Sequence, residues 1–331
     1  MSMNAPRPLR WPRLALGLAV TAVFAWLAFR GVDWTQARTA LAGLAPRWLG
    51  AALVALAVDY LLRITRWWRM LVRMGATVPL KRCAAPFLAA IALNNLLPFR
   101  AGDVARTVAF TGELGLPIPA ILATMIAERL LDLAALLLLL ALGVSRLPPG
   151  TVPEAAAAGA WIIAAVCAAG VIGIALIPAK LLAGLRGAAE KPGFAGRFAS
   201  FSADAGAALI HLRTPRAALE MIALSMLIWL GEGAVFAAVG TAQRLDLGYG
   251  AWFACSLGTL ATLLPASPGY VGTFDYFTIR STSAWGIDAQ AGALFAMVVH
   301  LVLWLPLTLA GLAALLVTTV PGRAPRSAPS R

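Results

Sequence analysis

Thirteen residues, Asn94 to Arg106 (NNLLPFRAGDVAR), constrain this chain more than any others. They set two amides, a proline, a glycine and three charges inside an otherwise apolar run. Hydrocarbon tolerates backbone interrupted in this way only where protein or trapped water satisfies its polar groups. A second stretch, Leu263 to Phe277 (LLPASPGYVGTFDYF), answers the first. A shift of 167 residues pairs Leu96/Leu263, Leu97/Leu264, Pro98/Pro265, Gly102/Gly269, Val104/Val271 and Phe110/Phe277, six identities in 15 positions. Shared leucines mean little in so apolar a chain, but shared proline and glycine in one register mean more. Two Pro/Gly-interrupted apolar segments at corresponding places in two halves point to a transporter-like site at a repeat interface.

Charged residues make up 12% of the 331 and apolar residues 61%, against about 25% charged in a soluble domain. The chain therefore reads as an integral membrane protein, and its long unalternating apolar runs favour helices over a barrel. The net charge of +13 comes from cations lying between apolar runs, where membrane topology puts them. No basic, aromatic-interleaved soluble module accompanies them, so no nucleic-acid partner is expected; anionic lipid head groups are the expected use of the surplus. Cys83, Cys167 and Cys255 are scattered without a CxxC and read as small apolar helix residues. The only histidines are His211 and His300, so neither a histidine-based metal centre nor a cofactor is expected.

Along the chain, Arg7, Arg10 and Arg13 precede the apolar run Leu14 to Phe29. Without an A-x-A cleavage site, and with more apolar runs following, this reads as a first span with a cytoplasmic N-terminus. Residues 31–47 read as a short amphipathic loop. Trp48 to Met70 is a second span, with Asp59, Arg63 and Arg66 on one helix face. Cys83 to Leu97 is too short to cross and reads as a half-helix that turns at Pro98 and returns through Gly102 to Phe110. Pro117 to Gly143 and Ala155 to Ile177 are further spans. Residues 179–216 form a basic cytoplasmic linker, after which Ala217 to Gly240 spans with Glu232 inside it. Gly250 to Leu264 is again too short and turns at Pro265–Gly269. Ala289 to Thr319 is the last span, and 320–331 reads as a disordered tail.

These assignments predict an all-α membrane domain over 1–331, with about six transmembrane helices and two re-entrant helical hairpins. The hairpins fall in two inverted-topology repeats, about 48–146 and 215–318. Both termini lie in the cytoplasm by the positive-inside rule.

The candidate site residues follow from charges and breaks inside this apolar sequence. Arg100, Asp103 and Arg106 lie three apart and line one face if the chain after Gly102 is helical. Two arginines beside a half-helix N-terminus favour an anionic head group, with Asp103 holding one of them; the alternative is anchoring at cytoplasmic phosphates. Glu128 and Asp132, at i and i+4 with Arg129 between, suit counter-ions for Arg100 and Arg63 or a proton relay. No nucleophile motif or metal set accompanies them, so an enzyme is not expected. Asn94 and Asn95 either cap freed backbone groups or touch ligand. In the second hairpin Ser267, Gly269 and Gly272 allow close backbone approach, and Asp275 reads as a coupling-ion site or the partner of an arginine in the other hairpin. Trp67, Trp68, Trp252 and Trp304 read as interfacial or core residues.

The motifs NNLLPFRAGDVAR (94–106), ERLLD (128–132) and LLPASPGYVGTFD (263–275) resemble the lysylphosphatidylglycerol synthase transmembrane region family, over roughly residues 14–318. Asp103 and Asp275 stand where that family more often has Glu. The chain ends at Arg331, so the soluble aminoacyl-transferase domain of the synthases, and synthase activity with it, are not expected here. The resemblance implies a flippase-like translocator of an amphipathic lipid in the bacterial inner membrane, or a non-transporting subunit that presents lipid to a separate modifying enzyme. No G-x-x-x-x-G-K-[ST] phosphate loop occurs, so an ion gradient or the lipid gradient would supply the energy.

Overall fold

In the computed structural model, residues 11–97, 100–108, 114, 116–175, 193–210, 214–264 and 268–319 are described, and among them no strand occurs. The helices are α1 (Trp11–Phe29), α2 (Trp34–Ala42), α3 (Pro46–Arg73), α4 (Leu80–Leu96), α5 (Ala101–Val108), α6 (Ile118–Val144), α7 (Glu154–Ala175), α8 (Phe194–Ile210), α9 (Pro215–Ala242), α10 (Gly250–Ala261), α11 (Thr273–Ala284) and α12 (Ala289–Thr319). A 3-10 turn, Pro268–Tyr270, leads into α11.

Helix α3 shows what surrounds the protein. Its exposed stripe is Val54, Val58 and Leu61, while Asp59 and Arg66 are buried. A water-soluble helix has the opposite arrangement, so the solvent outside α3 is hydrocarbon and the polar groups face inward. On α9, Leu219 and Leu227 face out while Glu232 is buried. By length and composition, Pro46–Arg73, Pro215–Ala242 and Ala289–Leu316 can cross a membrane. The sequence predicts about six spans. Helix α6 has 27 residues, about 40 Å at helical rise, with Glu128, Arg129 and Asp132 inside its apolar sequence and both carboxylates buried.

Two short-helix pairs interrupt this pattern. Helix α4, with 17 residues, is followed by α5 with eight; α10 and α11 have 12 each. Twelve residues reach about 18 Å, well under the ~30 Å of a bilayer core. The expected turn residues Pro98, Pro265 and Ser267, the end point Phe110, residues 179–192 and 211–213 of the linker and the 320–331 tail lie outside the described residues.

Two expectations of loop are corrected. Within 31–47, α2 forms because Asp33 caps it, accepting from the backbone N–H groups of Thr35 (2.9 Å) and Gln36 (3.2 Å). Those amides, Gln36 first, hold the Asp33 carboxyl below the usual carboxylate range. Within 179–216, α8 forms with Gly196, Ala199 and Ala203 buried. These small residues make a helical stripe along which two helices approach closely, and α8 packs on α6.

The helices interlock between halves. The first long helix of each half, α3 and α9, lie together; α4 packs on α12, and α10 on α6. Glycine makes both cross-seatings close: a Cβ on Gly311 would strike the Leu88 carbonyl, and one on Gly143 the Phe253 ring. Counted by helix starts, Pro215 follows Pro46 by 169 residues, Gly250 follows Leu80 by 170, Thr273 follows Ala101 by 172 and Ala289 follows Ile118 by 171. Asp275 lies 172 residues after Asp103, and Gly272 lies 172 after Arg100.

Candidate functional site

Between the two short-helix pairs lies a cavity of about 220 Å³, lined from α3, α4, α5, α6, α9, α10, α11, α12 and the 268–270 turn. Nine of the sequence-predicted residues line it: Asn94, Asn95, Arg100, Asp103, Arg106, Glu128, Arg129, Asp132 and Gly269. Gly272 and Asp275 stand behind its wall, and Ser267 lies outside the described residues.

The cavity is a field of arginines, most of them neutralised. Arg66, 2% exposed, donates from Nη1 to Asp132 Oδ1 at 2.7 Å and to Ser225 Oγ at 2.7 Å; Trp229 Nε1 donates to the same Asp132 oxygen at 3.0 Å. Arg106 is buried and donates to Glu128 Oε2 at 2.7 Å. Its guanidinium stacks 4.8 Å over Trp67 and 5.0 Å over Phe87, which replaces hydration on its faces. Arg129 donates to Asp103 Oδ2 at 3.1 Å. Arg63 donates to Asp59 at 2.7 Å and to Glu232.

Several partners differ from those the sequence suggests. Asp103 holds Arg129 rather than Arg100 or Arg106. Glu128 and Asp132 are counter-ions, but of Arg106 and Arg66 rather than Arg100 and Arg63. Among the described residues Asp275 meets no arginine: its Oδ1 lies 2.9 Å from His300 Nδ1, and its Oδ2 accepts from the Gly272 amide at 2.8 Å. Gly272 does permit close approach, but to the backbone of Thr21 and Ala25 in α1. Asn94 brackets Asp103, donating to its Oδ1 at 3.0 Å and accepting from its backbone N–H at 3.2 Å. Asn95 donates to Thr308 Oγ1 at 2.9 Å, fastening α4 to α12. Trp304, taken as interfacial or core, lines the cavity, while Trp67 is core and carries Arg106.

Arg100 stands apart. It occupies the left-handed region at φ 52°, lines the cavity, and has no ion pair or hydrogen bond with any described residue. A non-glycine residue at positive φ costs about 1 kcal/mol or more, and such strain collects at functional sites.

Other lining residues were not placed in the site from sequence: Arg63, Arg66, Glu232, Trp229 and His300. Four of these carry one signal, an ionisable side chain inside a long apolar helix. His300 shows it best, since α12 is otherwise without charge from Ala289 to Thr319.

The family model of the Lysylphosphatidylglycerol synthase TM region matches residues 14–311. Glycosyltransferase AglD of Haloferax volcanii is 26% identical over 338 residues, covering 90% of this chain and 53% of that protein. The chain thus spans about half the length of that curated relative.

Proposed function

This chain belongs to the lysylphosphatidylglycerol synthase TM region family, and from that premise we propose that it moves an amphipathic lipid with an anionic head group between leaflets. The head group passes through the charged cavity while the tails stay in the bilayer, and the lipid leaves chemically unchanged. Arg100 carries this reading. Four cavity arginines have carboxylate partners, and Arg100, held at positive φ on the cavity wall, has none among the described residues. A phosphate would supply the missing counter-charge through paired N–H bonds. The reciprocal seating of α4 on α12 and α10 on α6 supports two inverted repeats, with the short-helix pairs entering from opposite faces. The expected setting is the inner membrane with both termini cytoplasmic.

The relative named a glycosyltransferase, matched over only part of its length, favours a second reading. There the membrane region presents lipid to a separate modifying enzyme and does not transport.

Reconstitution of the purified protein with a fluorescent anionic lipid separates the two. Transfer between leaflets by the protein alone is expected, with a loss of about tenfold or more for Arg100→Lys, which cannot copy the planar fork. Full transfer by both Arg100→Lys and Arg100→Ala overturns the head-group role. No transfer by the wild type supports the presenting subunit. Single cysteines replacing Ala101 and Ser267, with Cys83, Cys167 and Cys255 changed to alanine, should react with impermeant thiol reagents from opposite sides. Labelling of both from one side ends the inverted-repeat reading.

A further inference from the structure

One buried cation in this cavity serves two buried anions. Where α3 meets α9, the Arg63 guanidinium lies between Asp59, fully buried, and Glu232, 7% exposed, and donates to both. Its face is covered by Trp229 at 4.6 Å and Tyr60 at 5.4 Å. Asp59 Oδ1 is buried without a hydrogen-bond partner among the described residues, and Glu232 Oε1 receives only a long 3.4 Å bond from Thr259. The remaining charges nearby do not redress the balance. On α3, Arg66 is committed to Asp132, which comes from α6; Arg129 of α6 is committed to Asp103. Facing Glu232 from α10 are the Cys255 thiol and the Thr259 hydroxyl.

Two buried carboxylates that share one guanidinium favour the state in which one of them is protonated, because the uncompensated charge is costly and one proton removes it. A metal cation would not serve, since Arg63 already occupies the space between the acids and would repel it. A proton adds to an outward oxygen, Asp59 Oδ1 or Glu232 Oε1, without displacing the guanidinium.

We propose that Asp59 and Glu232 hold one exchangeable proton between them, and that this proton couples lipid transfer to a proton gradient. Only the coupling half of this rests on the lipid-transfer reading. Glu232, Arg63 and Arg100 line the same cavity, so releasing the proton adds a negative charge to the space an anionic head group would enter. Head group and proton therefore favour each other's binding, and the linkage is reciprocal. Because the site joins the first long helix of one half to that of the other, its protonation also acts on the contact between halves.

Infrared difference spectroscopy on the purified full chain reads the proton directly, as a protonated-carboxyl band that titrates with pH and shifts in deuterium oxide. The band is expected in wild type and lost in both Glu232→Gln and Asp59→Asn, each of which leaves one carboxylate to one guanidinium. A wild type without the band, or both variants retaining it, overturns the proton site. Loss of the band on adding sodium at constant pH overturns it in favour of a metal cation. In vesicles, an imposed pH gradient should change lipid transfer by wild type and lose that effect in either variant. An unchanged response in both variants overturns the coupling. If the band behaves as expected while wild type moves no lipid, the proton site stands and the transport reading falls.

Discussion

Helix α5 opens after Arg100 at φ 52° and carries Asp103 as its third residue; α11 opens after Gly272 at φ 87° and carries Asp275 as its third. From this shared plan the two short-helix pairs diverge. Asp275 turns back on its own loop, accepting the Gly272 amide and meeting His300, whose other nitrogen lies 2.8 Å from the Gly269 carbonyl oxygen. The backbone of α1 fills the space beside Gly272. In the first pair Asn94 takes over the capping of Asp103, whose other oxygen holds Arg129. That frees the left-handed position for a long cationic side chain. Where neighbouring backbone closes in, the position demands glycine; where a cavity opens, it tolerates arginine and puts the side chain to use.

The largest effect expected from breaking this contrast comes from Arg106→Ala in the first pair. It leaves the buried Glu128 unpaired at a cost of about 3–5 kcal/mol, read as a lower melting temperature. Arg106→Ala with Glu128→Ala should recover part of that loss. A double variant no more stable than the single would show that the ion pair is not what holds α5 to α6. Asp275→Ala in the second pair should cost less, about 2 kcal/mol, for a lost cap and a lost bond to His300. Equal losses at the two sites would erase the distinction between a charge-dependent and a self-capped pair. Gly272→Ala should cost about 1–3 kcal/mol through strained φ and the α1 backbone. The smallest change belongs to Arg100→Gly: stability within about 1 kcal/mol of wild type, since glycine relieves the positive φ, alongside a loss of lipid transfer. A collapse in stability there would make Arg100 a structural residue.

Much of this architecture is legible in the sequence, for identifiable reasons. The last helix is read at its observed bounds, Ala289–Thr319, because its apolar run is long and ends cleanly. The polar breaks at 94–106 and 263–275 announce the two short-helix pairs because so little else in the chain interrupts apolar sequence. Counter-ion identity is another matter. The i, i+4 spacing of Glu128 and Asp132 puts them on one face, but which arginines they reach depends on how α3 and α5 pack against α6, where Trp67 of α3 donates to Thr124 Oγ1 at 3.1 Å. The 167-residue shift aligns identical residues, whereas Asp103 and Asp275, each the third residue of its helix, lie 172 apart, a likeness of position that shows only once the helix starts are known. Helices α2 and α8 escape notice because one rests on a single capping aspartate and the other buries small residues, Gly196, Ala199 and Ala203, whose helical spacing stands out little in a chain rich in Ala and Gly.

The cross-seating of α4 on α12 and α10 on α6 also sets an order of assembly. A ribosome delivers α4 and α5 well before α12. Helix α10 emerges to find α6 already made and docks on arrival. Helix α4, with Asn95 awaiting Thr308 and Leu88 awaiting Gly311, rests on α3 and α5 with one side still open until α12 enters the bilayer. Its charged companions must shelter against α3 and α6 in the meantime, where the Arg106–Glu128 and Asp103–Arg129 pairs can close without α12. Of the helices that line the cavity, α12 is made after all the others, and it is the one that seals the wall.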